Sequence, residues 1–410
     1  VTLPRSAAMD LSALREVPVP PELVSAECWL SLPWFAQLGL WVLGEQAKGS
    51  ASKWSAYVDL LPLEGKALDT PYRWSDAELA ALAYPLIPES VREQRELMRS
   101  MHAAIAASAP QTRVSVSSLA CACDSVLSRA FPTGDLIERK GGAGGAGSSP
   151  LAGLMGAFGG GGGNGPLVPP ESAYALFPAI DAINHRSGAK TIFSYDTRRA
   201  EIELRCGEAF KRGEQVFIEY GQKSNDELLL LYGFVEADNP FDVYSTAGVI
   251  SWLREEYAPV RALAPAEWES RLGALRAAGL DGAADAGSIG AAGASVEVLC
   301  ALRCVLDPGA PAALAAAGAG GAQAVAMAYA QPVPHETAVL SALSVFCRSR
   351  SRELPTRKTL RDACSGSSAS RAQTIAAFVN AKRTTLRNAE LGLKRALDVA
   401  RARSAAASAA

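Results

Sequence analysis

A chain of 410 residues, 49% of them apolar, exceeds what one hydrophobic core organises, and it implies two domains or one domain with a large insertion. Its formal net charge of -2 excludes the strong basic field that gathers nucleic acid or anionic lipid, and no stretch approaches the roughly 20 apolar residues of a membrane helix, so neither is an expected partner. The eight cysteines, at positions 28, 121, 123, 206, 300, 304, 347 and 364, form no C-x-x-C pair and no dense disulfide spacing, which points to buried thiols in a reducing compartment and to no metal centre.

The first 25 residues, "VTLPRSAAMDLSALREVPVPPELVS", contain no glycine. Residues 33 to 48, "PWFAQLGLWVLGEQAK", follow a proline suited to a helix start and set Trp34, Leu38 and Trp41 at helical spacing, which predicts a buried helix. Ser75 and Glu78 form a capping-box pattern, and Pro85 and Pro88 divide residues 75 to 107 into two helical pieces. A further helix is expected over 116 to 131, "VSSLACACDSVLSRAF".

Residues 139 to 170 are rich in glycine and read as a flexible loop; they lack the G-K-[ST] of a phosphate-binding loop. The β signal is concentrated between 174 and 220. "KTIFSYD" and "AEIELRC" flank the turn "TRR" as a hairpin in which Ile202 and Leu204 alternate with Glu201, Glu203 and Arg205. "EQVFIEYG", 214 to 221, reads as another strand, and from about 236 the pattern is helical again. The last helix sets Phe378, Val379, Leu386, Leu393 and Leu397 as an apolar stripe against a basic side of Lys382, Arg383, Arg387, Lys394 and Arg395, expected to be solvated or to meet an acidic or protein partner.

Three segments stand out in order: "LSRAF" (127 to 131), "FPAIDAINHRSG" (177 to 188) and "EQVFIEYGQKSNDELLLLYGFVEADNPFD" (214 to 242). Taken singly, Asn184 and His185 read as a polar strand end capping its own backbone, and Tyr220 as an aromatic covering the core. Together the segments resemble the SET-domain protein methyltransferases, in the group that includes Rubisco large-subunit lysine methyltransferase and the actin-histidine methyltransferase. The stretch "PWFAQLGLWVLGEQAKGSASKWSAYVDLLP" is similar to that group's helical insertion, and "HETAVLSALSVFCRSR" to its Rubisco-substrate-binding-type domain.

The resemblance implies an α+β fold. Residues 1–240 would form a SET domain of short β-sheets with a helical insertion at 29–113, followed by an all-α substrate-binding-type domain at 241–403 and a tail at 404–410. It implies S-adenosyl-L-methionine as cofactor and a lysine side chain of a non-histone protein as substrate. Methyl transfer is then an in-line displacement at a sulfonium carbon, needing a neutral amine held in line and shielded from water. By the same resemblance Asn184, His185 and Arg129 hold the cofactor. Tyr220 is the active-site tyrosine beside both cofactor and amine. Ser128 and Asp181 line the lysine channel, with Phe131, Tyr232 and Phe234 as its aromatic walls. For Ser128, Arg129 and Asp181 a cap or an ion pair is the competing account, and for the three aromatics plain core packing is. Phe131 stands where the actin-histidine enzyme carries a polar residue, which favours lysine over histidine as the target.

One departure keeps two readings open. The group begins with a Gly-x-Gly-type stretch at the cofactor's methionine end, where only glycine permits a close backbone approach; the first 25 residues here have no glycine, though their "VPVP" run resembles the strand that follows it in the group. The expectation is therefore an active methyltransferase, or else a SET-like protein-binding module without catalysis. The richness in glycine and alanine points to a GC-rich genome and to a chloroplast rather than cytoplasmic setting.

Overall fold

A computed structural model of the chain describes residues 1–133, 174–196, 199–257, 264–277, 281–306 and 333–409. The Gly-rich segment expected as a loop at 139–170 lies outside the described residues. The chain divides into two compact units, Val1–Trp74 with Glu89–Pro240, and Ser75–Pro88 with Phe241–Ala410.

The first unit has a helical part and a β part. Pro33 caps the helix Trp34–Lys48, which is buried on every side from Phe35 to Glu45 and so forms the centre of a core rather than a surface layer. It packs on the helix Val116–Leu127, and the two backbones come close at Gly39, where a Cβ would sit 3.4 Å from that of Ala122. The helix expected through residue 131 stops at Leu127. Pro132 keeps Phe131 out of the helix: its ring drives the preceding residue into extended backbone, and both enter a strand.

The strands of this unit are β1 (Thr2–Pro4), β2 (Met9–Asp10), β3 (Phe131–Pro132), β4 (Tyr174–Leu176), β5 (Asn184–His185), β6 (Ile192–Asp196), β7 (Glu201–Arg205) and β8 (Phe217–Ile218). They make two three-stranded sheets, ordered β1-β7-β6 and β2-β4-β3, and one two-stranded pair, β5-β8. The predicted hairpin is β6-β7, with Ile202 and Leu204 buried while Arg205 faces solvent. The expected "VPVP" strand is absent, because Pro18 and Pro20 have no N–H to give a ladder; the paired segments are β1 and β2 instead. "EQVFIEYG" shrinks to two paired residues, since its partner β5 is itself only two residues long.

The second unit is mainly helical. The capping box of Ser75 and Glu78 opens the helix Asp76–Ala81 as predicted, and Arg371 reaches the Glu78 carboxylate at 3.1 Å. The helices Val333–Glu353 and Ala369–Ala409 pack on each other. Beside them lies a small sheet absent from the all-α expectation, β11 (Gly293–Ala294), β10 (Ser288–Gly290) and β9 (Val243–Ser245), in that order. Its strands are too short for an alternating pattern to show.

Lys382, read as part of a solvated basic face, is instead fully buried. It donates to Asp242 Oδ1 and to the Val243 carbonyl, each at 2.7 Å, while Thr385 holds Asp242 Oδ2 at 2.7 Å and the rings of Tyr84 and Phe378 flank the ammonium. The i, i+4 spacing of 378, 382 and 386 puts it inside the apolar stripe. Among the described residues no helix is long and apolar enough to cross a membrane.

Candidate active site

The site is organised by the parallel pair β5-β8, which sets Asn184 opposite Phe217 and His185 opposite Ile218. Beyond β8 the chain continues to Tyr220 and turns at Gly221, whose φ of +99° only glycine takes without strain. Tyr220 is fastened to the β5 segment at two points. Its backbone N–H donates to His185 Nδ1 at 3.0 Å, and its phenol donates to the Ile183 carbonyl at 2.8 Å.

The His185 side chain is only 1% exposed. Nδ1 accepts from Tyr220, so a neutral ring carries its proton on Nε2, which faces Glu236 Oε2 and Ser187 Oγ at 3.4 Å each. Burial pushes its pKa below the ordinary imidazole value, with Glu236 opposing, so the contact with Glu236 is made by a neutral donor. The ring is thus committed to internal partners, and the polar group His185 retains for a ligand is its main chain. Asn184 beside it is exposed.

A capping box of Ser224 and Glu227 starts the helix Asn225–Tyr232, and Gly233, left-handed at φ +77°, ends it. That geometry carries Tyr232 and Phe234 to the same place as Tyr220. Tyr232 stacks on Tyr220 with centroids 4.8 Å apart, and Phe234 lies 6.1 Å from both Tyr232 and His185. Burial raises the Tyr232 phenol far above its usual range, and that of Tyr220 to about 12, so both are neutral.

Arg129 and Asp181 come together next to this group. The Arg129 guanidinium donates to the Asp181 main-chain carbonyl at 3.0 Å, and the Asp181 carboxyl accepts from the Tyr57 hydroxyl. Burial lifts Asp181 to about 6, against the lowering effects of Tyr57 and Arg129. Asp181 Oδ1 and Arg129 Nε are buried with no hydrogen-bond partner among the described residues, so one acceptor and one donor are left over for a ligand. Both charges also act on Tyr220.

Two predicted residues are placed differently. Ser128 caps the C-terminal end of its helix, its hydroxyl donating to the Ser125 carbonyl at 3.1 Å. Phe131 stacks on Phe193 at 4.8 Å and tilts against Phe177 at 5.7 Å, whereas among the described residues the rings against Tyr220 are His185 and Tyr232. Phe131 and Tyr220 nonetheless pack against the same buried cluster around Phe177, Ile180 and Ile218. Tyr57, Ser187 and Glu236 were missed by sequence reasoning. Ser187 and Glu236 stand inside the quoted motifs without a distinguishing pattern, and Tyr57 meets Asp181 across 124 positions of chain, a contact that no local period signals.

An adenosyl sulfonium ligand needs main-chain polar groups for its adenine edge, a cation for its carboxylate and no fixed cation at the sulfonium. The exposed Asn184, the main chain of His185, the unpartnered Arg129 Nε and two neutral phenols fit that requirement. Among the described residues no group of His, Cys, Asp and Glu is arranged to hold a metal ion.

No family model matches the chain. It is 28% identical over 207 residues, 48% of its length, to the ribosomal lysine N-methyltransferase set10 of Schizosaccharomyces pombe. It is 44% identical over 73 residues, 18% of its length, to the actin-histidine N-methyltransferase of Drosophila melanogaster. The matched stretches span 31% and 13% of those relatives, so the chain covers less than a third of either. Among solved structures it resembles the SET domain of LSMT bound to methyllysine and AdoHcy, with a TM-score of 0.59 at 18% identity, covering 97% of this chain and 82% of that one. Rubisco LSMT bound to AdoMet gives a TM-score of 0.60 at 18% identity, over the same shares of the two chains. The fold is therefore that of the LSMT SET structures, α+β as expected.

Proposed function

We propose that this chain is an S-adenosyl-L-methionine-dependent protein-lysine N-methyltransferase acting on a non-histone protein. The observation that carries the reading is the double tether of Tyr220 to β5: the phenol is held at the Ile183 carbonyl and the backbone at His185, beside the exposed Asn184. The likeness to SET structures holding AdoMet, AdoHcy and methyllysine supports the same reading.

S-adenosylmethionine would supply the methyl group at an electrophilic sulfonium carbon. The chain's own residues orient and shield. Asn184 and the His185 main chain take the adenosyl part and Arg129 the carboxylate. Tyr220, neutral with its pKa at about 12, offers its oxygen to the amine without placing a full charge beside the sulfonium. Tyr232 and Phe234 wall the aliphatic stem on the Tyr220 side, with Phe131 across the shared core and the Ser128 and Asp181 region at the channel. Free lysine titrates near about 10.4. Desolvation by these rings and a neighbouring sulfonium lower that value and favour the neutral nucleophile, and Asp181 Oδ1 is a buried acceptor for the departing proton.

Histidine is the second target considered, because the matched stretch of the actin-histidine enzyme is 44% identical. Phe131 stacks on Phe193 as a core residue does, so the preference for lysine rests on its apolar character at the position where the actin-histidine enzyme carries a polar residue. The eight cysteines are all free thiols, which supports a reducing compartment, with the chloroplast as our reading.

Labelled methyl transfer from S-adenosylmethionine into soluble proteins, followed by hydrolysis and amino-acid analysis, tests the proposal. We expect methyllysine from the wild-type chain and at least about tenfold less from Tyr220→Phe, equivalent to about 1.4 kcal/mol of barrier. Label in methylhistidine moves the target to histidine. Absence of label with retained protein binding makes the chain a docking module.

A further inference from the structure

The carboxylate of Glu236 makes two hydrogen bonds and one longer contact. Oε1 accepts the Ser187 N–H at 2.8 Å, and Oε2 accepts the Ser187 hydroxyl at 2.6 Å and faces His185 Nε2 at 3.4 Å. Its main chain is clamped as well. The Glu236 N–H donates to Asn225 Oδ1 at 2.9 Å, and Asn225 Nδ2 donates to the Glu236 carbonyl at 3.2 Å, with Asn225 itself buried. The residue is therefore fixed by the helix Asn225–Tyr232 while its side chain addresses β5.

A carboxylate only accepts, so it selects the imidazole tautomer whose proton is on Nε2. That tautomer alone leaves Nδ1 with a lone pair for the Tyr220 backbone N–H, the bond observed at 3.0 Å. We propose that Glu236 is a positioning residue for methyl transfer: by fixing the His185 tautomer it sets where Tyr220 stands. The inference rests on the reading that Tyr220 faces the transferring methyl.

Glu236→Gln is the informative change. It keeps the volume and one acceptor for Ser187, but it offers an amide N–H towards Nε2 and so favours the opposite tautomer, with Nδ1–H pointing at the Tyr220 N–H. Only three histidines are present, so ¹⁵N-histidine labelling resolves them, with Gln substitutions at His102 and His335 for assignment. The wild type should show a neutral His185 protonated at Nε2. In Glu236→Gln we expect the population to move towards Nδ1–H and the ¹³C ring resonance of Tyr220 to shift. The kcat should drop at least about tenfold, about 1.4 kcal/mol, while the Kd for S-adenosylmethionine stays within about threefold. Glu236→Asp, which retains an acceptor on a shorter arm, should keep the Nε2–H tautomer and part of the rate.

A wild-type His185 protonated at Nδ1 overturns the proposal, and that result needs no variant. So does a Glu236→Gln chain with the tautomer and the Tyr220 resonance unmoved, or one whose tautomer moves while kcat does not. A wild type that methylates nothing removes the functional reading instead, and the tautomer and the Tyr220 resonance then decide this one by themselves.

Discussion

His185 and Tyr220 are joined through the backbone of one and the ring of the other: the Tyr220 N–H points at His185 Nδ1 from 3.0 Å, and the two rings lie 5.0 Å apart. This explains why an imidazole at a strand end can be almost fully buried in a chain with three histidines. Its chemistry is spent on holding the next segment rather than on a ligand. The second tether, from the phenol to Ile183, is separable from the first.

Tyr220→Phe therefore removes one hydrogen bond and keeps the other. The Ile183 carbonyl loses its donor at a half-buried site, so unfolding in urea should show a loss of about 1 kcal/mol with an unchanged m-value. The fall in methyl transfer should exceed what that small loss of stability explains.

The burial of neutral His185 makes stability depend on pH. Its folded pKa lies below the ordinary value, so the unfolded chain binds the extra proton first. The contribution is complete above about pH 6.5, the unfolded value, and is lost as the pH falls towards the lower folded value. Asp181 titrates with the opposite sign over part of this range, so the readout is the difference in urea midpoint between wild type and His185→Gln from pH 8 to pH 5, which should shrink below about 6.5.

Asp181 has the opposite sign. Its folded pKa is raised to about 6 by burial, so its contribution is fullest below about 3.9, the unfolded value, and is lost as the pH rises through about 6. Asp181→Asn keeps an acceptor for Tyr57 and removes the buried charge. It should stabilise the chain by about 1 to 3 kcal/mol at pH 7.5, an advantage that disappears near pH 4. Tyr57→Phe should cost about 1 to 3 kcal/mol at pH 7.5, because the carboxylate loses its donor.

In the second unit, Lys382→Met removes the ammonium that faces the buried Asp242 carboxylate, and should cost about 3 to 5 kcal/mol. Adding Asp242→Asn should recover much of the loss. Thermal unfolding of the two single variants and the double variant forms the cycle that measures it.

What could be read from the chain itself was local. The helix Trp34–Lys48, the capping box of Ser75 and Glu78 and the β6-β7 hairpin each follow from a period or a cap confined to a few consecutive residues. Asn184, His185 and Tyr220 stand out in the sequence because three motifs occur in order, whereas the geometry that joins them does not. The pairing of β5 with β8 involves two residues a side, too few for any alternation to appear. Charge alone assigns Lys382 to the polar side of its helix, whereas its i, i+4 position between Phe378 and Leu386 puts it in the buried stripe. The links of Tyr57 to Asp181 and of Glu236 to Ser187 join segments 124 and 49 positions apart, and they exist only once the chain is folded.

The most direct test of the account is a calorimetric titration of S-adenosyl-L-methionine into the wild-type chain and into Asn184→Ala. The account predicts one saturable site in the wild type, displaced by S-adenosylhomocysteine and weakened at least about tenfold in the variant, or about 1.4 kcal/mol. Absence of binding to the wild-type chain, or equal affinity for both chains, would contradict a cofactor site built on β5 beside Tyr220.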